Sequence, residues 1–150
     1  MSNKPRSTFV YVTFIRTTQA KLWSALTDPE FIEEYWFNMH VECDWKVGSP
    51  WKLRYADGRI ADSGEILESD PPRRLVIKWR NEWNPEMAAE GDTRCTMELE
   101  PAGSAVKLSI THEIERADSK FIGAVSGGWP KILSNLKSLL ETGELAIVDR

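Results

Sequence analysis

Residues 118–143, DSKFIGAVSGGWPKILSNLKSLLETG, give the clearest structural signal in this chain. Apolar residues recur here at intervals of three or four, the spacing of one face of an α-helix. They are Ile122, Val125, Trp129, Ile132, Leu133, Leu136, Leu139 and Leu140. Asp118 or Ser119 can cap the start, and Gly143 suits the left-handed residue that follows a helix end. The pattern predicts a helix of about 24 residues, roughly 36 Å long. Its apolar face needs a broad partner.

Gly127, Gly128 and Pro130 interrupt this helical pattern. Glycine lowers helix propensity by about 1 kcal/mol relative to alanine, and proline cannot donate the helical backbone hydrogen bond. Because the apolar stripe keeps its phase across the interruption, the sequence favours one bent helix over two separate helices. The two glycines allow two interpretations. They indicate either close packing against a neighbouring element, which we favour, or space for a ligand beside Trp129.

The composition is that of one ordinary globular domain. The chain has 150 residues, of which 41% are apolar and 28% charged, so we expect a single domain over 1–150. A net charge of −4 disfavours a nucleic-acid partner, and no apolar run is long enough for membrane insertion. The N-terminus lacks the apolar core of a signal peptide, and Cys43 and Cys95 stand alone. These features favour a reduced, cytoplasmic setting.

Changes in periodicity divide the rest of the chain into elements. Thr8–Arg16 is β-branched or aromatic nearly throughout, which predicts a strand with both faces covered. Thr18 and Asp28 are suited to cap two short helices in tandem. Residues 39–112 then alternate between apolar and polar positions in six further strands, interrupted by the longest loop, Asn81–Asp92.

Short turns connect most of these strands, which implies antiparallel pairing of neighbours. The alternation implies one wet face and one buried face, and only the C-terminal helix is large enough to cover the buried one. We therefore predict an α+β fold in which a curved antiparallel sheet grips a helix. It would have seven strands, two short helices after the first strand, and the long C-terminal helix across the sheet.

Several local motifs resemble the START-like superfamily, also called SRPBCC, helix-grip or Bet v 1-like. They are LWSALTDP (22–29), YW (35–36), WKVGSPW (45–51), GEILE (64–68), DPPRRL (70–75) and GGWP (127–130) running to LLETG (139–143). Within the superfamily, residues 8–143 look most like the branch named after the activator of the heat-shock-protein-90 ATPase. The resemblance implies a cavity between sheet and long helix, which members use for lipids, sterols, polyketides and other apolar molecules. The namesake co-chaperone carries a separate chaperone-activating domain for which this chain has no room, so a chaperone partner is doubtful.

We expect tryptophans from four elements to converge on that cavity. A tryptophan taken singly is more often core than ligand wall, but four on convergent elements, together with the resemblance, predict an aromatic lining. The candidate ligand-binding residues are Trp36, Trp51, Trp79, Met97, His112, Trp129 and Leu133.

His112 and Asp62 are the polar residues whose parity points toward the covered face. For His112 we favour a core histidine bonded to a neighbour over a polar anchor in the cavity. For Asp62 we favour a solvated side chain on an irregular strand over a buried carboxylate, which would need a partner or a raised pKa. Asp62 and His112 could in principle serve as an acid–base pair, but no motif supports one. The sequence shows no catalytic motif, metal-ligand set or cofactor motif.

The sequence therefore favours a non-enzymatic protein that binds a small apolar or aromatic molecule, lipid-like or polyketide-like. Two alternatives stay open. One is an enzyme of the cyclase, aromatase or hydrolase type that acts on an apolar substrate. The other is a chaperone- or stress-related interaction protein with an exposed apolar patch around Trp83 and Met87. A homodimer is compatible with each of these functions.

Overall fold

The computed structural model describes residues 5–148, in which one seven-stranded antiparallel sheet packs against helices. The strands are β1 (Ser7–Ile15), β2 (His40–Cys43), β3 (Pro50–Arg54), β4 (Ile60–Asp70), β5 (Arg74–Asn81), β6 (Thr93–Ala102) and β7 (Ala105–Ile114). The helices are α1 (Gln19–Thr27), α2 (Pro29–Tyr35), α3 (Pro85–Ala89) and α4 (Lys120–Thr142). The strand order is β1-β7-β6-β5-β4-β3-β2, a meander from β2 to β7 with β1 added beside β7. The predicted α+β helix-grip architecture is confirmed.

The long helix α4 runs without a break through Pro130, which confirms one helix instead of two. Ser119 is the residue that caps it, accepting a hydrogen bond of 3.1 Å from the backbone nitrogen of Ile122. At the other end Gly143 adopts the predicted left-handed conformation, with φ of 83°. The face that α4 turns toward the sheet carries Trp129, which is buried. This placement sets Trp129 against Trp79 of β5 and His112 of β7.

The prediction that both faces of β1 are covered is wrong. Alternate residues of this strand, Val10, Val12 and Phe14, are exposed large apolar side chains. The strand lies at the edge of the sheet, and its alternating exposure shows that only one of its two faces is covered. Its β-branched and aromatic composition therefore reflects the conformational preference of a strand and not burial on both sides.

The loop predicted at Asn81–Asp92 contains a short helix, α3, that the sequence analysis missed. The side chain of Asn84 caps it by accepting hydrogen bonds from the backbone nitrogens of Glu86 (3.1 Å) and Met87 (3.2 Å), and Pro85 occupies the first turn. Five residues are too few to show a helical period. The Asn-Pro pair is the signal that could have identified α3, as Asp28-Pro29 did for α2.

Glu90 joins α3 to the start of α4. Its carboxylate accepts hydrogen bonds from the hydroxyl of Ser119 (2.5 Å) and from the backbone nitrogens of Lys120 (2.8 Å) and Phe121 (3.4 Å). Partial burial disfavours the charged carboxylate, but these three hydrogen bonds outweigh it and hold the pKa of Glu90 below its ordinary value. An anion at the N-terminus of a helix also interacts favourably with the helix dipole.

Replacing Glu90 with glutamine is expected to lower the free energy of unfolding by about 1 kcal/mol at pH 7, because it removes the charge while keeping one acceptor oxygen. Since the pKa of Glu90 is lower in the folded chain, its contribution is present above the unfolded pKa and disappears as pH falls through the folded value. Urea denaturation at pH 7 and pH 3 should show a larger difference between wild type and Glu90→Gln at pH 7 than at pH 3. The control is Glu86→Gln, which removes only an exposed ion pair with Lys120. An equal loss at both pH values would contradict this account.

Candidate functional site

An aromatic cluster fills the deep part of the interior between α4 and the sheet. Trp51 of β3, Trp79 of β5 and Trp129 of α4 are all buried. The ring centroids of Trp51 and Trp79 lie 4.3 Å apart, and those of Trp79 and Trp129 lie 5.8 Å apart. Trp36, at the end of α2, has its ring 5.3 Å from that of Trp129. The structure thus brings together the four tryptophans that the sequence analysis proposed.

The rings leave almost no space beneath them. A void of about 10 Å³ remains among these side chains, bounded by aliphatic residues and by Trp36, Trp45, Trp51, Trp79 and Met97. Such a void has room for one water molecule at most. The deepest part of the interior is therefore packed core, and any guest molecule has to bind closer to the surface.

An open cleft of about 200 Å³ lies beside the aromatic cluster. It is lined by Trp36, Met39, Leu53, Tyr55, Ala61, Asp62, Trp79, Asn81, Trp83, Met87, Phe121, Ala124, Val125, Gly128, Trp129 and Ile132. Trp83, whose side chain is 54% exposed, marks its outer edge. Of the seven candidate residues, Trp36, Trp79 and Trp129 line this cleft, Trp51 and Met97 border only the small void, and His112 and Leu133 border neither.

Gly128 leaves part of this cleft empty. A Cβ atom added at Gly127 or at Gly128 would meet no atom within 4 Å outside the local helix backbone. The close-packing interpretation of the two glycines, which we favoured from the sequence, is therefore wrong. Gly127 is exposed, whereas Gly128 lines the cleft next to Trp129. The missing side chain at position 128 is what keeps the cleft open on the side of α4.

His112 is a fully buried structural residue. The indole nitrogen of Trp129 donates to its Nδ1 (3.1 Å), and its Nε2 lies 2.9 Å from the hydroxyl of Thr93. The Thr93 hydroxyl donates in turn to the carbonyl oxygen of Trp79 (2.7 Å), so Nε2 carries the proton and donates to Thr93. Burial lowers the pKa of His112 to about 3, so the ring is neutral at pH 7. The core interpretation is confirmed, and neither ring nitrogen is left to pair with Asp62.

Asp62 is buried, which corrects our preference for a solvated side chain. It is 9% exposed and lines the cleft. The pairing of β3 with β4 shifts register only after Leu53, the residue that pairs with Asp62, so Asp62 lies within the regular part of the strand. On the other side it pairs with Asn81, whose amide nitrogen donates to its Oδ1 over 3.3 Å. The irregularity that we expected to expose Asp62 thus begins beyond it.

The environment of Asp62 disfavours its charged form. Burial raises the pKa of Asp62 to about 6, the nearby charge of Glu82 adds to the rise, and the polar groups of Trp79 and Asn81 oppose it. Because the folded pKa exceeds the unfolded one, Asp62 stabilises the fold less as pH rises from about 4 through about 6. An ionisable carboxyl group in an apolar cleft therefore costs stability at neutral pH, as functional groups often do.

The indole N–H of Trp79 lies close enough to Asp62 to lower the carboxyl pKa but makes no hydrogen bond of ordinary geometry. Within residues 5–148, its Nε1 is the only buried side-chain nitrogen or oxygen without a hydrogen-bond partner. The residues that line the cleft thus include Trp79, whose buried indole N–H makes no hydrogen bond of ordinary geometry, and Asp62, which accepts one such bond from Asn81. Strand parity identified Asp62 as a candidate inward-facing residue, but nothing in the sequence indicated the orientation of the Trp79 indole.

The described residues provide neither a metal site nor a helix that could span a membrane. Over 5–148, no three histidine, cysteine, aspartate or glutamate side chains form a group that could hold a metal ion. None of the helices in the same range is both long enough and apolar enough to span a membrane. Cys43 and Cys95 are free thiols, and burial raises the pKa of Cys95 well above its usual range.

Comparison with known proteins finds one matching family and several solved structures of the same fold. The family model described as "Activator of Hsp90 ATPase homolog 1-like protein" matches residues 16–141. No curated protein sequence matches the chain. Among solved structures, protein MLL2253 from Mesorhizobium loti is 26% identical, with 93% of this chain and 100% of that chain covered and a TM-score of 0.79.

Two more distant structures share the fold. The Aha1 dimer from Colwellia psychrerythraea is 20% identical, with 91% of this chain and 98% of that chain covered and a TM-score of 0.75. CalU16 from Micromonospora echinospora is 24% identical, with 91% and 77% covered and a TM-score of 0.73. At these identities the likeness shows the fold alone. Since the family model spans most of the chain and the helix-grip fold agrees with it, this protein belongs to the Activator of Hsp90 ATPase homolog 1-like family of the START-like superfamily.

Proposed function

We propose that this protein binds a small apolar or aromatic molecule in the cleft between the sheet and α4, without catalysing a reaction. The observation that carries the proposal is the open cleft of about 200 Å³, walled by Trp36, Trp79 and Trp129 and kept open by Gly128. Apolar, aromatic walls with a few polar groups are the usual composition of a small-molecule site. Burial of apolar ligand surface against these rings would supply the binding free energy.

The size of the cleft narrows the ligand class. Drug-sized ligands occupy pockets of roughly 300–1,000 Å³, so a cleft of about 200 Å³ suits one or two fused rings or a short chain. Of the lipid-like or polyketide-like ligands that the resemblance implies, only a part of this size, one or two fused rings or a short chain, would fit in the cleft. A sterol or a long acyl chain would have to displace Trp83 and Met87 at the outer edge of the cleft.

The two glycines of α4 provide a matched test of the cleft. We expect Gly128→Leu to weaken the binding of naphthalene at least tenfold, because the new side chain enters the space beside Trp129. Gly127→Leu should change the affinity less than twofold, since position 127 is exposed and does not line the cleft. Both substitutions replace glycine in a helix with leucine and should raise helix stability by a similar amount, about 0.5–1 kcal/mol. Quenching of tryptophan fluorescence on titration measures the affinities.

Two results would count against the proposal. One is a wild-type protein whose tryptophan fluorescence and thermal stability do not respond to naphthalene. The other is a pair of leucine variants that bind naphthalene equally, because binding would then lie outside the cleft.

Asp62 supports a second candidate function, acid–base catalysis on an apolar substrate. A carboxyl group with a pKa of about 6 in an apolar cleft has the protonation equilibrium of a general acid. In an enzyme of this kind, Asp62→Asn would abolish turnover while substrate binding persists. For the interaction-protein alternative, the apolar patch expected around Trp83 and Met87 forms the rim of the same cleft. A homodimer of the kind seen in the Colwellia psychrerythraea relative would have the exposed apolar face of β1 available for contact.

A further inference from the structure

We infer that the cleft selects ligands bearing a hydroxyl group on an aromatic ring, with that hydroxyl held between the indole N–H of Trp79 and the carboxyl group of Asp62. This inference rests on the proposed function and specifies the ligand class for the same cleft. In this arrangement Trp79 donates a hydrogen bond to the ligand oxygen. The ligand hydroxyl then donates its own hydrogen to Asp62.

The donor side of this site is held in place by its neighbours. The Trp79 ring contacts Trp51 at 4.3 Å and His112 at 5.1 Å between centroids, so the indole cannot turn away without disturbing the core. Its N–H is buried and has no acceptor among residues 5–148. A buried donor without an acceptor is unfavourable, and an acceptor supplied by a ligand removes that cost.

The acceptor side is also oriented by protein contacts. The backbone nitrogen of Asn84 donates to the Asn81 side-chain oxygen over 2.9 Å, which turns the Asn81 amide nitrogen toward Asp62. This contact of 3.3 Å is the hydrogen bond of ordinary geometry that the Asp62 side chain accepts, and the Trp79 indole acts on the same carboxyl group by lowering its pKa. A carboxylate has about four acceptor positions, so Asp62 retains capacity for a donor from a ligand.

The chemistry of the two groups favours a hydroxyl over other polar groups. A hydroxyl both donates and accepts, as this pair requires. An ether can accept from Trp79 but cannot donate to Asp62, and an ammonium group can donate to Asp62 but cannot accept from Trp79. A ligand carboxylate would face the like charges of Asp62 and Glu82. The surrounding rings of Trp36, Trp79 and Trp129 favour an aromatic body for the ligand.

Three probes of nearly the same shape test this inference: 2-naphthol, 2-methoxynaphthalene and naphthalene. We expect 2-naphthol to bind at least tenfold more tightly than either of the others. In ¹⁵N-labelled protein, 2-naphthol should also shift the Trp79 indole N–H resonance downfield, and Trp79→Phe identifies that resonance by its absence. In Asp62→Leu, the tenfold preference for 2-naphthol over naphthalene should disappear, so that the two probes bind with similar affinity.

The possible results separate this inference from the proposed function. Equal affinity for the three probes, or an unmoved Trp79 resonance at saturation with 2-naphthol, overturns the hydroxyl assignment and leaves the cleft as an apolar site. Failure of all three probes to bind overturns the proposed function itself. Asp62→Asn, which changes the shape least, repeats the test if the leucine variant does not fold. It should reduce the preference for 2-naphthol over naphthalene at least threefold.

Discussion

Replacing Gly64 with alanine should lower the free energy of unfolding by about 4 kcal/mol or more, which is exceptional for the addition of one methyl group. A Cβ atom at position 64 would lie 1.6 Å from the carbonyl oxygen of Lys78 and 2.7 Å from its carbonyl carbon. Both atoms belong to the backbone of β5, so no change of side-chain rotamer can relieve the overlap. Gly64 pairs with Trp79, and the two strands would have to separate at the residue that forms the cleft wall.

Urea denaturation of wild type, Gly64→Ala and Gly127→Ala measures this effect. Gly127 is the control because a Cβ there meets nothing within 4 Å, and alanine in a helix is favoured over glycine by about 1 kcal/mol. The two alanine variants should therefore change stability in opposite directions. If Gly64→Ala unfolded at the same urea concentration as wild type, the close approach of β4 and β5 at this position would be refuted.

Removing the ring of Trp51 is the second substitution with a large expected effect. Trp51→Ala should cost about 3–5 kcal/mol, because it removes a buried indole and leaves a cavity next to Trp79. Trp83→Ala removes the same side chain from an exposed position at the cleft edge and should cost less than about 1 kcal/mol. Chemical denaturation of the two variants measures the stability lost when a ring that fills the interior is removed and when a ring at the cleft edge is removed.

Added indole provides a further measurement on Trp51→Ala. An apolar cavity of the right shape binds a small aromatic molecule, and a ligand that binds only the folded state raises stability. We expect indole to stabilise Trp51→Ala more than Trp83→Ala, because Trp83→Ala offers indole only the cleft, whereas Trp51→Ala offers the cleft and the new cavity. If indole raised the stability of the two variants equally, removal of the Trp51 ring would have left no additional cavity, which would contradict its role in filling the interior.

Much of the fold could be predicted because its signals are local. The caps at Thr18, Asp28 and Ser119 and the left-handed Gly143 act within a few residues of their own positions, and the structure confirms all four. Ser119 was one of two candidates for its cap. The inward parity of residues on the alternating strands also requires no knowledge of distant partners.

The candidate site could be predicted only in part, because its properties depend on distant neighbours. The convergence of the four tryptophans could be predicted from the helices and strands that carry them. The filling of the deep interior, however, depends on how closely the rings of Trp51 and Trp79 approach each other. For Asp62, strand parity indicated the covered face, yet only the position of the β3–β4 register shift shows that the side chain is buried. Gly128 was assigned to close packing because a glycine in a helix has the same sequence signature beside a neighbour and beside an empty space.

The amino-acid order alone was enough to establish helices α1, α2 and α4, their caps, the antiparallel meander and the apolar stripe of α4, because backbone preferences and apolar periodicity act over short distances. Three properties depended on the folded chain: the open face of β1, the small size of the space beneath the tryptophans, and the unpaired indole N–H beside a buried carboxyl group. Each property depends on contacts between atoms that are far apart in the chain. The free energy of such contacts depends on three-dimensional distance and on exclusion of water, which residue types alone do not specify.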